Sequence, residues 1–140
     1  MTFQVCVDAS FVLKLLLDEP ESQTVNALWA EWLAGGVDVC APYHLAFEVV
    51  SVIRNHVYRG NISAEAGRLA FEAFLAQDIQ MIPPEPLYQR AWELAEQLGR
   101  PTVYDTFYVA AAEFVDCDLW TYDKRLYRAA HEVLPLIKMP

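Results

Sequence analysis

The chain has 140 residues, of which 55% are hydrophobic, and carries a net charge of −9. This length fits one domain, predicted to span residues 1–140, that buries a core without disulfides or a structural metal, and the apolar content argues against disorder. The acidic balance argues against binding of nucleic acid through a broad basic surface, but it permits contact with phosphates through bound cations.

The first part of the chain alternates short apolar runs with helical patterns. A strand is predicted over residues 3–7, and a short helix that Ser10 caps follows over 10–17. A second helix is predicted over 21–34, where the pair of glycines at its end stops it. The apolar run at 37–41 predicts the second strand.

The middle of the chain repeats this alternation. Apolar residues at helical spacing predict a helix over 44–59, and a second helix begins at Ser63 and runs to about residue 76. The run IQMI, residues 79–82, predicts the third strand, which several prolines follow. A helix is then predicted over 87–98.

The last part of the chain completes the pattern. A helix that Thr102 caps is predicted to extend to about residue 115, and a strand follows over 119–121. A short helix over 124–130 and an edge strand in LPLIK end the chain. Strands separated by helices predict an α/β fold, with a small parallel β-sheet flanked by helices on both faces.

Four carboxylates fall at strand ends or near the starts of helices. Asp8 and Asp123 each follow a strand, whereas Glu48 and Asp105 lie early in helices. Ligands of such sheets bind beyond the carboxyl ends of the strands, so one edge of the sheet can gather all four acids. Clustered carboxylates repel one another, and oxygen ligands suit Mg²⁺ or Mn²⁺. The chemistry this set favours is metal-dependent hydrolysis at phosphorus.

Each of these acids also has a purely structural interpretation. Asp8 and Asp123 are placed to cap the helices that follow them, and Asp105 stands three residues after Thr102, as in a capping box. Glu48 lies beside an apolar helix face, where a boundary carboxylate is common. The metal-binding interpretation therefore depends on the set and not on any one member.

Four segments, in this order and spacing, resemble the PIN-domain family, and most closely its VapC-type toxins. They are VCVDASFVLKLLLDEP, HLAFEVVSVIRN, VYDTFYVAAAE and LWTYDKRL. The resemblance covers essentially the whole chain. It implies a small parallel sheet between helices and an acidic pocket that binds Mg²⁺ or Mn²⁺. It also implies hydrolysis of RNA phosphodiester bonds by a metal-activated water.

The resemblance assigns roles residue by residue. It implies that the four acids are the catalytic metal ligands, and that Ser10 and Thr121 orient the first of them through hydrogen bonds. It further implies a homodimer and a cognate antitoxin protein whose basic segment enters the acidic pocket of this acidic chain. The acids that match the family pattern are Asp8, Glu48, Asp105 and Asp123.

Other residues near these motifs carry weaker expectations. Four cations are candidates for RNA contact: Lys14, Arg54, Lys124 and Arg125. Four tyrosines are interpreted as packing residues rather than as base-stacking ones: Tyr43, Tyr104, Tyr108 and Tyr122. Three cysteines without metal-ligand spacing are interpreted as buried free thiols: Cys6, Cys40 and Cys117. The N-terminus has no signal-peptide pattern and no apolar run spans a bilayer, so a cytoplasmic protein is expected.

Two other functions remain open at this stage. One is a metal-dependent phosphatase with Asp8 as nucleophile, although such enzymes carry a second aspartate two residues later, where this chain has Ser10. The other is a non-catalytic PIN-like binding module that acts only through its partner.

Overall fold

The strands of the protein run parallel in one sheet. The structure, a computed structural model, describes residues 3–140, so the first two residues of the predicted domain lie outside the described residues. The five strands are β1 Gln4–Val7, β2 Asp38–Pro42, β3 Ile79–Ile82, β4 Asp118–Trp120 and β5 Ile137–Lys138. They are ordered β3-β2-β1-β4-β5 and every pair is parallel.

Helices connect the strands and cover the sheet. They are α1 Ala9–Leu16, α2 Ser22–Ala34, α3 His44–Tyr58, α4 Ala64–Leu75, α5 Tyr88–Gln97, α6 Tyr104–Phe114 and α7 Lys124–Ala130. Crossovers between parallel strands are right-handed, and the strand order reverses after β3, so α5 and α6 lie on the face opposite α1–α4. The predicted fold class is therefore confirmed. Within residues 3–140, none of the helices combines the length and apolar character needed to cross a bilayer.

The strand order creates a switch point between β1 and β4. The two strands are paired neighbours, with Val7 opposite Trp120, yet the chain leaves β1 toward β2 and leaves β4 toward β5. The connections therefore diverge at the carboxyl ends of these strands and leave a crevice there. Asp8 lies at this crevice, and its backbone N–H donates to the carbonyl of Trp120 at 3.3 Å.

A buried helix fixes one face of the sheet. Every residue of α6 from 106 to 112 is buried, and three consecutive alanines allow this helix to approach β1, β2 and β4 closely. On the other face, the Phe11 ring stacks on Trp32 at 5.4 Å and on Tyr122 at 5.9 Å between centroids. Both layers of the core hold the ends of β1 and β4 in place.

Two predicted helix caps are wrong. Helix α1 begins one residue before Ser10, so Asp8 is the capping residue, and its Oδ1 accepts a hydrogen bond from the backbone N–H of Phe11 at 3.0 Å. Helix α6 begins at Tyr104 after Val103, and no side chain caps it. Thr102 lies one position too early to reach the free N–H groups of this helix.

The three cysteines come together in the core, although their spacing in the sequence gives no sign of it. All three are free, as predicted; Cys6 and Cys40 are buried and Cys117 is half-buried. The three Sγ atoms lie within 4.8 Å of one another, and those of Cys6 and Cys40 are 3.3 Å apart. The register of β1 and β2 pairs Cys6 with Cys40, and Cys117 directly precedes β4, the other neighbour of β1.

Candidate active site

Asp8 is a buried carboxylate with hydrogen bonds to both oxygens. It is only 4% exposed, because it follows β1 at the start of α1. Its Oδ1 accepts from the Ser10 hydroxyl at 2.6 Å as well as from the N–H of Phe11, and its Oδ2 accepts from the Thr121 hydroxyl. These donors hold the carboxylate in one orientation at the switch point.

The environment of Asp8 disfavours a negative charge. Burial raises the pKa of its carboxyl to about 6, even though the hydrogen bonds from Ser10, Thr121 and Phe11 each lower this pKa. The nearby charge of Asp123 makes a smaller contribution to this rise. Asp8 has no basic side chain among its recorded partners in residues 3–140. A divalent cation would offset the cost of this buried charge.

Two hydroxyls connect the end of β1 to the end of β4. The Thr121 Oγ1 donates to Asp8 and accepts from the backbone N–H of Asp123 at 2.8 Å. The Ser10 Oγ accepts from the backbone N–H of Tyr122 at 2.9 Å while it donates to Asp8. Because each hydroxyl both donates and accepts, the two segments are fixed relative to each other.

Asp123 caps a helix and still presents a free oxygen. Its Oδ1 accepts from the backbone N–H groups of Arg125 at 3.0 Å and Leu126 at 3.1 Å, at the start of α7. Its Oδ2 has no recorded donor among residues 3–140. Capping and metal binding are therefore compatible in this carboxylate, because each uses a different oxygen.

Glu48 is held by a histidine one helical turn earlier. The Nε2 of His44 lies 3.2 Å from Oε1 of Glu48 and 3.0 Å from the carbonyl oxygen of Tyr104. His44 thereby links α3, which carries Glu48, to the start of α6. The sequence did not single out His44, although its spacing of four residues from Glu48 places both on one helix face.

Tyr108 brings a buried hydroxyl to the acids. The residue is 2% exposed, and its hydroxyl has no hydrogen-bond partner within the described part of the chain. Burial raises the pKa of this phenol, and the charges of Glu48 and Asp8 raise it further. Tyr108 was interpreted as a packing residue, and it is buried, but its hydroxyl lies close to two acids. The sequence does place Tyr108 three residues after Asp105, and this spacing puts both side chains on one face of the helix.

Asp105 pairs with an arginine and does not cap a helix. The Nη2 of Arg100 lies 2.7 Å from its Oδ2. Both side chains are partly exposed, so this ion pair is weak. The capping-box interpretation of Asp105 is wrong, because its carboxylate is directed to Arg100 instead of back to the helix start.

The four acids share one edge of the sheet without converging on one point. Across residues 3–140, the three cysteines are the only three potential ligands whose atoms lie within 4.8 Å of one another. Each acid is held by its own partner: His44 for Glu48, Arg100 for Asp105, and helix ends for Asp8 and Asp123. Oxygen donors, one deeply buried carboxylate and an unpartnered phenol suit a hard, partly hydrated cation.

The four predicted cations differ in availability. Lys14 is bound to Glu19 at 2.5 Å and to Glu21 at 2.8 Å. Arg54 lines a separate groove between α3 and α4. Lys124 and Arg125 are exposed at the start of α7, and neither is in a recorded ion pair within residues 3–140.

Comparisons with known proteins identify the family of this chain. The sequence pattern of the PIN domain matches residues 5–132. The chain belongs to the PIN-domain family. It is 30% identical to "Ribonuclease VapC9" of Mycobacterium tuberculosis over 136 residues, which is 97% of this chain and 98% of that protein. The predicted likeness to VapC-type members of the PIN-domain family is thus confirmed.

Solved structures of PIN-domain proteins share the fold. The crystal structure of Mycobacterium tuberculosis VapC20, described as a sarcin–ricin-loop-cleaving toxin, matches with a TM-score of 0.68 at 17% identity. That match covers 90% of this chain and 95% of VapC20. VapBC2 of Rickettsia felis, solved with a DNA fragment from its promoter, matches with a TM-score of 0.63 at 14% identity, over 99% and 98% of the two chains.

Proposed function

We propose that this protein is a Mg²⁺- or Mn²⁺-dependent endoribonuclease and the toxin component of a type II toxin–antitoxin system. Membership of the PIN-domain family and the relative named a ribonuclease support this proposal. The observation that carries it is Asp8, a carboxylate buried at the switch point and oriented by three donors. Such a buried charge is costly in a merely structural role.

In this proposal the catalytic ligands are Asp8, Glu48, Asp105 and Asp123. A bound Mg²⁺ or Mn²⁺ supplies activation of a water and neutralisation of charge on the phosphate. Asp8 is already fixed by Ser10 and Thr121, so it is the ligand that needs no rearrangement. Glu48 and Asp105 would have to leave their present contacts with His44 and Arg100 to hold a cation. The Tyr108 hydroxyl, which lies near Glu48 and Asp8, would be available to donate a hydrogen bond to a group bound there.

The chain itself provides no nucleophile in this proposal. The Ser10 hydroxyl donates its proton to Asp8 and accepts from the backbone N–H of Tyr122, so it acts in the hydrogen bonding that orients Asp8. Ser10 therefore orients Asp8 through a hydrogen bond and does not supply the second carboxylate that a phosphatase of this type carries at that position. This counts against the phosphatase alternative. A non-catalytic binding module could use Asp8 as the cap of α1, but that role does not need the buried charge, because an amide caps equally well.

The proposed partners follow from charge and from the relatives. An acidic chain with net charge −9 attracts an antitoxin with a basic segment, and VapBC2 of Rickettsia felis, bound to a DNA fragment from its promoter, shares the fold. We also propose a homodimer that acts on RNA in the cytoplasm. Lys124 and Arg125 remain the predicted RNA contacts, since both are exposed and unpaired beside Asp123 within residues 3–140.

A mixed RNA pool tests the activity directly. Purified protein is incubated with the pool in Mg²⁺, in Mn²⁺ and in EDTA, using H₂¹⁸O as solvent. Cleavage in the two metals but not in EDTA is expected, with one solvent oxygen in each new phosphate. Cleavage in EDTA, or cyclic phosphates formed by the RNA 2′-hydroxyl, would contradict a metal-dependent hydrolase. A trapped phosphate on Asp8 would instead support the phosphatase.

Removal of the Thr121 hydroxyl should weaken metal binding. In Thr121→Val, Asp8 loses one donor and the N–H of Asp123 loses its acceptor, so two ligands are less well oriented. Loss of such supporting contacts lowers metal affinity by about 10- to 100-fold. Titration calorimetry with Mn²⁺ measures the change. Thr106→Val is the matched control, because the buried Thr106 hydroxyl bonds to Ala91 on α5 and not to an acid.

Removal of Arg100 should have the opposite effect on metal affinity. Arg100→Gln releases Asp105 from an ion pair that competes with a cation. Partly exposed pairs are worth up to about 1 kcal/mol, so we expect Mn²⁺ to bind about two- to fivefold more tightly. Arg68→Gln is the control, because this arginine is paired with Glu72 on α4. Weaker binding in Arg100→Gln would show that Arg100 supports the site.

A further inference from the structure

A pocket of about 340 Å³ opens beside the acids, and rings line most of it. We call it the aromatic pocket and define it by the following six residues. These residues are Tyr43, His44, Phe47, Tyr88, Tyr104 and Phe107. The volume lies within the range of about 300–1,000 Å³ that is usual for small-molecule sites. A single planar group fits such a space better than a helix or a strand of a partner protein.

The pocket has a packed floor and exposed walls. The floor is Phe107, which is 8% exposed and meets the rings of Tyr88 at 5.4 Å and His44 at 5.8 Å edge-on. The walls include Tyr104, which is 63% exposed, and Phe47, which is 75% exposed. Clustered exposed rings at one concave place mark a binding surface more than a packing one.

The aromatic pocket is continuous with the acidic edge. His44 belongs to the pocket, and its Nε2 lies 3.2 Å from Oε1 of Glu48. Tyr104, which forms a wall, directly precedes Asp105 in α6. A group bound in the pocket would therefore be one side chain away from two of the proposed metal ligands.

The charges near the pocket favour stacking as the source of affinity. Among residues 3–140, no lysine or arginine lines the aromatic pocket. Arg100, which precedes α6 in the chain, is paired with Asp105, and Lys14 on α1 is paired with Glu19 and Glu21. The aromatic pocket therefore attracts an RNA phosphate only weakly. Aromatic side chains can still bind unpaired bases by stacking, which does not depend on nearby positive charge.

We propose that the aromatic pocket binds one unpaired nucleobase of a single-stranded RNA, next to the phosphate to be cleaved. The proposal rests on the proposed ribonuclease function and adds to it a pocket, separate from the acids, that holds one base of the substrate. It changes the interpretation of Tyr43 and Tyr104, which the sequence assigned to packing and which are both exposed at the acidic edge.

Single-stranded hexanucleotides that carry one 2-aminopurine test the proposal in EDTA, so that binding is measured without cleavage. The fluorescent base is placed at each of the six positions in turn. Stacking should quench it strongly at one position. Tyr104→Leu should relieve the quenching and weaken binding by about fivefold or more, the range for one base–aromatic stack. Tyr104→Phe should bind as the wild type does, because the ring remains.

A second RNA makes the test specific to the base. The same hexanucleotide with an abasic site at the quenched position should bind wild type and Tyr104→Leu equally. Tyr58→Leu is the control, since Tyr58 is exposed at the far end of α3. The absence of quenching at every position, or an equal loss for the intact and the abasic RNA, would overturn the proposal. A change of oligomeric state in Tyr104→Leu with such an equal loss would identify the pocket as a subunit contact.

The two proposals fail separately in these experiments. Metal-dependent cleavage of the RNA pool without quenching would overturn the base pocket alone. Quenching that Tyr104→Leu relieves, without cleavage in either metal, would overturn the nuclease activity and leave the RNA-binding pocket.

Discussion

Asp8→Asn lowers kcat/KM for RNA cleavage by at least about a hundredfold, the scale expected when a metal's several kcal/mol of transition-state stabilisation are lost. The amide oxygen still accepts from the N–H of Phe11 and from Ser10, so the cap of α1 is preserved. What disappears is the negative charge that, in the proposed site, would bind the cation. Cleavage of the RNA in Mn²⁺ measures the loss, and circular dichroism verifies the fold.

Asp18→Asn is the matched control for that loss. Asp18 is an exposed aspartate after α1, away from the ends of β1 and β4. This variant should cleave RNA as the wild type does. Equal activity of Asp8→Asn and Asp18→Asn would remove Asp8 from the catalytic site and return it to the role of a helix cap.

The same substitution should stabilise the metal-free protein. The pKa of Asp8 is about 6 in the fold against 3.8 as its ordinary value, so the folded state binds this proton more tightly than the unfolded state does. The stabilisation from protonation is complete below about pH 4, falls as the pH rises toward 6, and is absent above it. Asn resembles the neutral form, so Asp8→Asn gains up to about 3 kcal/mol at pH 8.

Urea unfolding in EDTA at pH 4, 5, 6 and 8 measures this gain. The difference in unfolding free energy between Asp8→Asn and wild type should be largest at pH 8 and shrink toward pH 4. Added Mn²⁺ should stabilise the wild type and leave Asp8→Asn unchanged. A variant that is less stable than the wild type at pH 8 would show that the charge of Asp8 is satisfied within the protein.

Much of the fold was predictable because local signals agree with the tertiary structure. The apolar runs ending at Val7 and Trp120 are strands whose carboxyl ends face one edge, so Asp8 and Asp123 fall together. The caps at Ser10 and Thr102 were predicted wrongly because helix starts are ambiguous by one or two residues. The observed capping positions are Asp8, two residues before Ser10, and Val103, one residue after Thr102.

The partners of the acids were harder to predict. Arg100 lies before the turn that starts α6, and only the three-dimensional path of that turn brings it to Asp105. Tyr108 is buried among the core residues of α6. Only its hydroxyl, which has no hydrogen-bond partner within residues 3–140, distinguishes it from an ordinary packing residue. The contact among Cys6, Cys40 and Cys117 likewise depends on strand register, which spacing along the chain does not encode.

Binding of Mn²⁺, followed by electron paramagnetic resonance of the free ion, tests the central claim most directly, because it asks whether the acidic edge holds a cation without requiring the right RNA. Saturable binding to the wild type and to Asp18→Asn is predicted, together with a loss of affinity in each single amide variant of the four acids. These variants are Asp8→Asn, Glu48→Gln, Asp105→Asn and Asp123→Asn. Unchanged Mn²⁺ binding in all four variants would contradict the claim that these carboxylates form the metal site.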